Sequence, residues 1–80
     1  MASSILFVRQ LPYNLSNDRF YTIFGEYGNI KQIRQGYTED TQGTAYIVYE
    51  NIQQAKNALE SLHGFNIDGR YIAVSYHKIK

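Results

Sequence analysis

Apolar residues in this sequence recur at two periods that take turns along the chain. Ile5 to Val8 is a short run of strand formers ended by Arg9, Gln10, Leu11 and Pro12. A strand is therefore predicted over residues 4–10, with Pro12 just outside it because proline lacks the N–H that a ladder needs. Pro12-Tyr13-Asn14-Leu15 reads as a connecting loop, and Ser16 is placed to cap a helix whose first turn holds Asp18. Phe20, Ile23, Phe24 and Tyr27 then fall at i, i+3, i+4, i+7, one apolar stripe on a helix of about three turns. Gly28 stands where a C-cap glycine would end it.

The period then returns to two. Residues 30–37 alternate imperfectly and predict a second strand, followed by a polar turn over residues 38–43 that closes a hairpin. Residues 44–49 are β-branched or aromatic at every position but Ala45 and form the clearest strand. Asn51, with Gln54 three residues later, resembles a capping box opening a second helix. Its stripe is Ala55, Ala58, Leu59 and Leu62, small enough in part to seat the helix close to a sheet, and His63-Gly64 ends it. Asp68-Gly69 makes a tight turn into a final strand over residues 71–76, and residues 77–80 are expected to fray or to extend an edge.

The order is βαββαβ, an α+β arrangement of the ferredoxin-like kind. Two right-handed crossovers put both helices on one face of a four-stranded antiparallel sheet and leave the other face open. Alternation assigns side chains to the two faces. Leu6, Val8, Ala45, Ile47, Ile72 and Val74 match the aliphatic helix stripes and form the expected core. Phe7, Arg9, Thr44, Tyr46 and Val48 then point outward, as do Tyr71, Ala73 and Ser75 on the last strand. Tyr27 is assigned to the core and Tyr21 to the surface, with Tyr13 leaning on the domain edge. An aromatic ring on each central strand is costly to leave exposed unless something stacks there, and nucleobases stack at roughly 1–3 kcal/mol each.

Composition narrows the chemistry further. Eighty residues make one small domain with a thin core, and the absence of cysteine excludes a disulfide, a thiolate zinc site and a cysteine nucleophile. Eight Lys+Arg against seven Asp+Glu argue against a strong non-specific polyanion binder; Lys31, Arg34 and Lys78 supply at most a diffuse basic rim. His63 and His77 have no partners at metal-ligand spacing, Glu39-Asp40 is a solvated turn pair, and the isolated glycines form no phosphate-binding loop. No cofactor is expected, and an enzyme is the weakest class. No run approaches the roughly 18 apolar residues of a membrane span. The start, Met1-Ala2-Ser3-Ser4, lacks a basic region ahead of an apolar stretch, so a cytosolic or nuclear protein is expected.

Two strings carry a family resemblance. Leu6-Phe7-Val8-Arg9-Gln10-Leu11 resembles the shorter signature of the RNA recognition motif. Gln42-Gly43-Thr44-Ala45-Tyr46-Ile47-Val48-Tyr49 resembles the longer one, K/R-G-F/Y-G/A-F-V-x-F/Y. The resemblance covers essentially the whole chain and implies one domain over residues 1–80 with its core at about 4–77. It implies sheet-surface aromatics at Phe7 and Tyr46, with RNA also contacted by Arg9, Thr44, Arg34 and Tyr71. Three family positions differ: the third aromatic is Thr44, the leading basic residue is Gln42, and the usual Asn of the shorter signature is Gln10. Two of three stacking rings remain, and one phosphate-seeking charge is lost.

Further strings, among them Leu11-Pro12-Tyr13, Tyr27-Gly28-Asn29-Ile30, Gly43-Thr44-Ala45-Tyr46 and Leu62-His63-Gly64-Phe65-Asn66, are similar to one spliceosomal branch of the family. This branch comprises the small branch-point-associated subunits of splicing factor 3b in the U2 small nuclear ribonucleoprotein. The resemblance implies a nuclear splicing component that contacts the pre-mRNA branch-point region and the U2 small nuclear RNA complex. It also implies docking of a peptide from the large helical-repeat subunit of splicing factor 3b on Thr44, Val48, Tyr46 and Ala73. Phe7 stands where that branch is expected to carry Tyr, a change that keeps stacking and loses a hydroxyl. The branch carries a helical extension after the last strand, absent from a sequence that stops at Lys80. The sheet is then expected to be more exposed than in that branch, or more dependent on a partner. Two readings stand side by side: an RNA-contacting spliceosomal module, and a protein-interaction module of the same shape with little direct RNA binding.

Overall fold

The computed structural model describes residues 3–77. The chain runs β1 (Ile5–Arg9), α1 (Asn17–Phe24), β2 (Ile30–Gln35), β3 (Ala45–Tyr49), α2 (Ile52–Leu62), β4 (Asn66–Ile67), β5 (Arg70–Tyr71) and β6 (Ala73–Tyr76). Four strands form one antiparallel sheet in the order β2-β3-β1-β6, and β4 and β5 form a separate ribbon. The helices pack on the sheet face that carries Leu6, Val8, Ala45, Ile47 and Val74, all buried as the alternation requires.

Ser16 caps α1 through its hydroxyl, which accepts the Arg19 N–H at 3.3 Å. The helix expected to reach Gly28 stops at Phe24 and tightens into a 3₁₀ turn over Gly25–Tyr27. A tertiary bond replaces the missing α-helical one: the Phe24 carbonyl accepts the Tyr49 hydroxyl at 2.7 Å. Gly28 therefore does not cap the helix in a left-handed conformation; it makes room for α2, because a Cβ there would lie 2.4 Å from Gln54. Phe20 and Phe24, both fully buried, stack at 4.5 Å between ring centroids.

Tyr49 yields the first testable consequence. Its ring is 1% exposed, and burial, with a smaller contribution from Tyr27, pushes its phenol well above the ordinary value. A raised folded-state pKa favours the protonated form, so this stabilisation is complete below the ordinary phenol pKa of 10.0 and declines as pH rises past it. Tyr49→Phe is expected to cost about 0.5–1.5 kcal/mol at neutral pH, the net worth of the buried hydrogen bond from its hydroxyl to the Phe24 carbonyl. The same variant should be less sensitive to alkali than the wild type. Chemical denaturation at neutral and alkaline pH checks both.

The imperfect alternation of β2 has a structural cause. The pairing with β3 shifts between Ile30 and Gln32, a bulge that lets Ile30 and Ile33, an odd number of residues apart, both pack on the core. Gln32 and Arg34 thereby come opposite Val48 and Tyr46 on the open face. The strand ends at Gln35, two residues short of the expected boundary.

On α2, the Asn51 side chain accepts the Gln54 N–H at 2.9 Å. The reciprocal half of the capping box is not made, and Gln54 Oε1 is instead buried without a hydrogen-bond partner among the described residues. Ala55 and Ala58 are fully buried, giving α2 its close approach to the sheet.

The final strand is shorter than its apolar run. Asp68 and Gly69 both take positive φ, 52° and 89°, the conformation of a tight hairpin turn, and Arg70–Tyr71 pairs back onto Asn66–Ile67. Ile72 continues that pairing, donating to the Phe65 carbonyl at 3.0 Å and accepting from the Gly64 N–H at 2.8 Å. Residues 71 and 72 therefore belong to the ribbon side of the chain, and the sheet strand begins at Ala73. A two-pronged ion pair between Arg19 and Asp68 ties the ribbon to α1 and holds the Asp68 carboxyl below its ordinary range, but its solvent exposure leaves it little stabilising weight.

Candidate nucleic-acid interface

β1 and β3 are the central strands, and their register sets Phe7 directly opposite Tyr46 on the face away from the helices. The two rings lie 4.9 Å apart between centroids, tilted by 38°. The imidazole of His77 meets Tyr46 edge-on at 4.7 Å, so three rings form a continuous aromatic surface. Tyr46 remains 36% exposed within this cluster.

Of the two expectations for His77, fraying or extension of an edge, the structure bears out the second. The His77 N–H donates to the Ile5 carbonyl at 2.9 Å, extending the β1–β6 ladder one residue beyond β6. The sequence contained a signal for this placement: Ala73, Ser75 and His77 follow the same two-residue period on the open face. The remaining expectations for residues 78–80, Lys78 of the basic rim included, lie outside the described residues.

Beside the ring cluster lies a hollow of about 360 Å³ lined by Ile5, Gln32, Arg34, Tyr46, Val48 and His77. This volume is at the lower end of the roughly 300–1,000 Å³ typical of small-ligand clefts. Its apolar floor and walls offer stacking and packing surface, and among the described residues the Arg34 guanidinium offers the single positive charge that lines it. Arg34 makes no ion pair among the described residues and is exposed at the β2 edge. Arg9, also exposed, supplies a second cation at the end of β1, opposite Ala73. Such a face suits a single-stranded nucleic acid, with bases against the rings and phosphates toward the arginines.

The sheet thus brings together Phe7, Tyr46, Val48, Arg34, Arg9 and Ala73. Thr44 lies one residue before β3, partly buried, with its hydroxyl donated to the Thr41 carbonyl at 2.6 Å. Tyr71 does not join them, because it lies on the β4–β5 ribbon and not in the sheet, 66% exposed. Tyr13, expected against the domain edge, is 64% exposed, with the Arg70 guanidinium 5.5 Å from its ring centre. Sequence reasoning missed Ile5, Gln32 and His77. Two-residue spacing from Phe7 and Ala73 was the available signal for Ile5 and His77, whereas Gln32 depends on the β2 bulge.

The family model described as RNA recognition motif matches residues 6–73, which include both helices, β3 and all of β1 but Ile5. The chain belongs to the RNA recognition motif family. Among solved structures, the third RNA recognition motif of Pes4 superposes with a TM-score of 0.89 at 23% identity, covering 98% of this chain and 95% of that one. The Rna15 motif superposes with a TM-score of 0.88 at 15% identity, covering 96% and 92%. At these identities the likeness concerns the fold alone. Among curated proteins, the chain is 51% identical over 74 residues to Splicing factor 3B subunit 6 of Drosophila melanogaster, covering 92% of this chain and 61% of that protein. It is 45% identical over 75 residues to the Splicing factor 3B subunit 6-like protein of Schizosaccharomyces pombe, covering 94% and 65%. The chain thus spans less than two thirds of the length of these relatives.

Proposed function

We propose that this RNA recognition motif is a nuclear, non-catalytic component of the pre-mRNA splicing machinery. Its open sheet face contacts single-stranded RNA of the branch-point region within the U2 small nuclear ribonucleoprotein. The observation that carries the reading is the Phe7–Tyr46 pair, two rings 4.9 Å apart on the uncovered face. The chain bearing them is 45–51% identical to splicing factor 3B subunit 6 proteins.

The same face docks a peptide from the large helical-repeat subunit of splicing factor 3b, on Thr44, Tyr46, Val48 and Ala73. Two features favour this second occupant. Thr44 replaces a stacking ring, and Gln42 replaces a cation, so RNA alone gains less here than on a motif with all three rings. RNA binding by the free domain is therefore weak and strengthens once the peptide is seated. Titration of a short branch-point RNA, with and without that peptide, tests this order. Submicromolar RNA affinity without the peptide contradicts it, and failure of the peptide to bind removes the partner.

A further inference from the structure

Thr44 occupies the position where the longer signature carries an aromatic ring, and the consequence is a second hollow. About 320 Å³ of open space lies between the rings of Tyr46 and Tyr37, with Thr44 and Arg34 also in its lining. The Thr44 hydroxyl is bound to the Thr41 carbonyl at 2.6 Å, which leaves the side chain's methyl as its contribution to an occupant. Tyr37 is 77% exposed, the most exposed of the large hydrophobic residues among those described. It projects from a loop, not from the sheet.

That loop is closed by its own bonds. The Thr38 N–H donates to Thr41 Oγ1 at 3.1 Å, the two threonine hydroxyls meet at 2.7 Å, and the Gln42 N–H donates to the Thr38 carbonyl at 2.8 Å. The Gly36 N–H donates to the Thr44 carbonyl at 3.0 Å, and the loop folds so closely over Gly36 that a Cβ there would lie 2.1 Å from the Thr41 carbonyl oxygen. Tyr37 is therefore held at the wall of the hollow by a defined backbone. A ring held in water against an apolar hollow is a surface awaiting a flat partner.

We propose that Tyr37 supplies the stacking ring that position 44 lacks, and that the hollow between Tyr37 and Tyr46 takes a second nucleobase of the bound RNA strand. The inference rests on the RNA reading of the sheet face and concerns the domain free of the peptide, which would share Thr44 and Tyr46 with this hollow. Its occupant follows from size and charge. The volume fits a base with part of its sugar, being near the lower limit of the roughly 300–1,000 Å³ of small-ligand clefts. Arg34 is the one charged residue in the lining among the described residues, and the loop's own carboxylates, Glu39 and Asp40, are not part of it. Arg34 and Tyr46 also line the first hollow, so a strand lying along β2 and β3 passes from one site to the next beside the same cation.

The test is the affinity of an octameric oligoadenylate for the wild type, Tyr37→Ala, Tyr37→Phe and Phe7→Ala, together with the NMR shift of the Thr44 methyl. Tyr37→Ala is expected to weaken binding about tenfold, as loss of one stacked base does, and Tyr37→Phe to retain wild-type affinity. RNA should move the Thr44 methyl signal in the wild type and much less in Tyr37→Ala. Binding that Phe7→Ala impairs and Tyr37→Ala leaves unchanged overturns the second site and leaves the RNA reading standing. Absence of binding by the free wild type overturns the second site, and absence with the large-subunit peptide also present overturns the RNA reading as well. A Thr44 methyl moved by an apolar aromatic peptide and not by oligoadenylate assigns the hollow to protein and also overturns the proposal.

Discussion

Phe7→Ala is expected to weaken the binding of a short single-stranded RNA by roughly 5- to 150-fold, the equivalent of about 1–3 kcal/mol for one lost stacking ring. Phe7 is partly buried on the open face and touches Tyr46, while its strand neighbours Leu6 and Val8 hold the core. The substitution therefore removes binding surface and leaves the helix-facing layer intact. Tyr46→Ala should act similarly. Because the two rings are in contact, the double variant should lose less than the sum of the single losses. Tyr21→Ala, on the outer surface of α1, should bind as the wild type does. Titrations at fixed ionic strength check the series, and a Phe7→Ala affinity equal to wild type contradicts it.

Phe20→Ala should have the complementary effect. Phe20 is fully buried, stacked on Phe24, in a domain with one small core. Truncating a buried phenylalanine costs about 3–5 kcal/mol, through lost burial and the cavity left behind. Small domains have about 5–15 kcal/mol in all, so the variant should approach or cross the threshold of folding at physiological temperature. Urea or thermal unfolding measures this, and a loss below about 1 kcal/mol contradicts the packing described. Where the variant is still folded, its RNA affinity per folded molecule should match wild type, because Phe20 lies under the opposite face. The two substitutions thus separate the layer that holds the fold from the layer that meets the ligand.

Most of this division is legible in the sequence because it rests on period alone. The alternation around Phe7 and Tyr46 and the helical stripes around Phe20 and Ala58 fix which residues face each other across the core. The features that escape are those set by contacts between distant segments. The α1 terminus depends on a hydroxyl from Tyr49, 25 residues further on. The β2 bulge, which turns Gln32 and Arg34 outward, is fixed by pairing with β3 and leaves only a blurred alternation in the chain. Tyr71 sits in an apolar run that reads as one strand, yet backbone bonds between Ile72 and residues 64–65 draw it into the ribbon. His77 follows the open-face period, but the choice between fraying and extending the edge is made by its bond to the Ile5 carbonyl, 72 residues back in the chain. Tyr37 lies beyond the end of β2, and its place beside the sheet follows from closure of the loop over Gly36.

The most direct test of the central claim, that RNA lies on the open sheet face, is NMR mapping of the wild-type chain with a short single-stranded RNA. Shifts are expected on Phe7, Arg34, Tyr46, Ser75 and His77, with Lys56 and Glu60 on the outer surface of α2 unmoved. Shifts centred on the helices, or a spectrum unchanged by RNA both with and without the partner peptide, would contradict that claim.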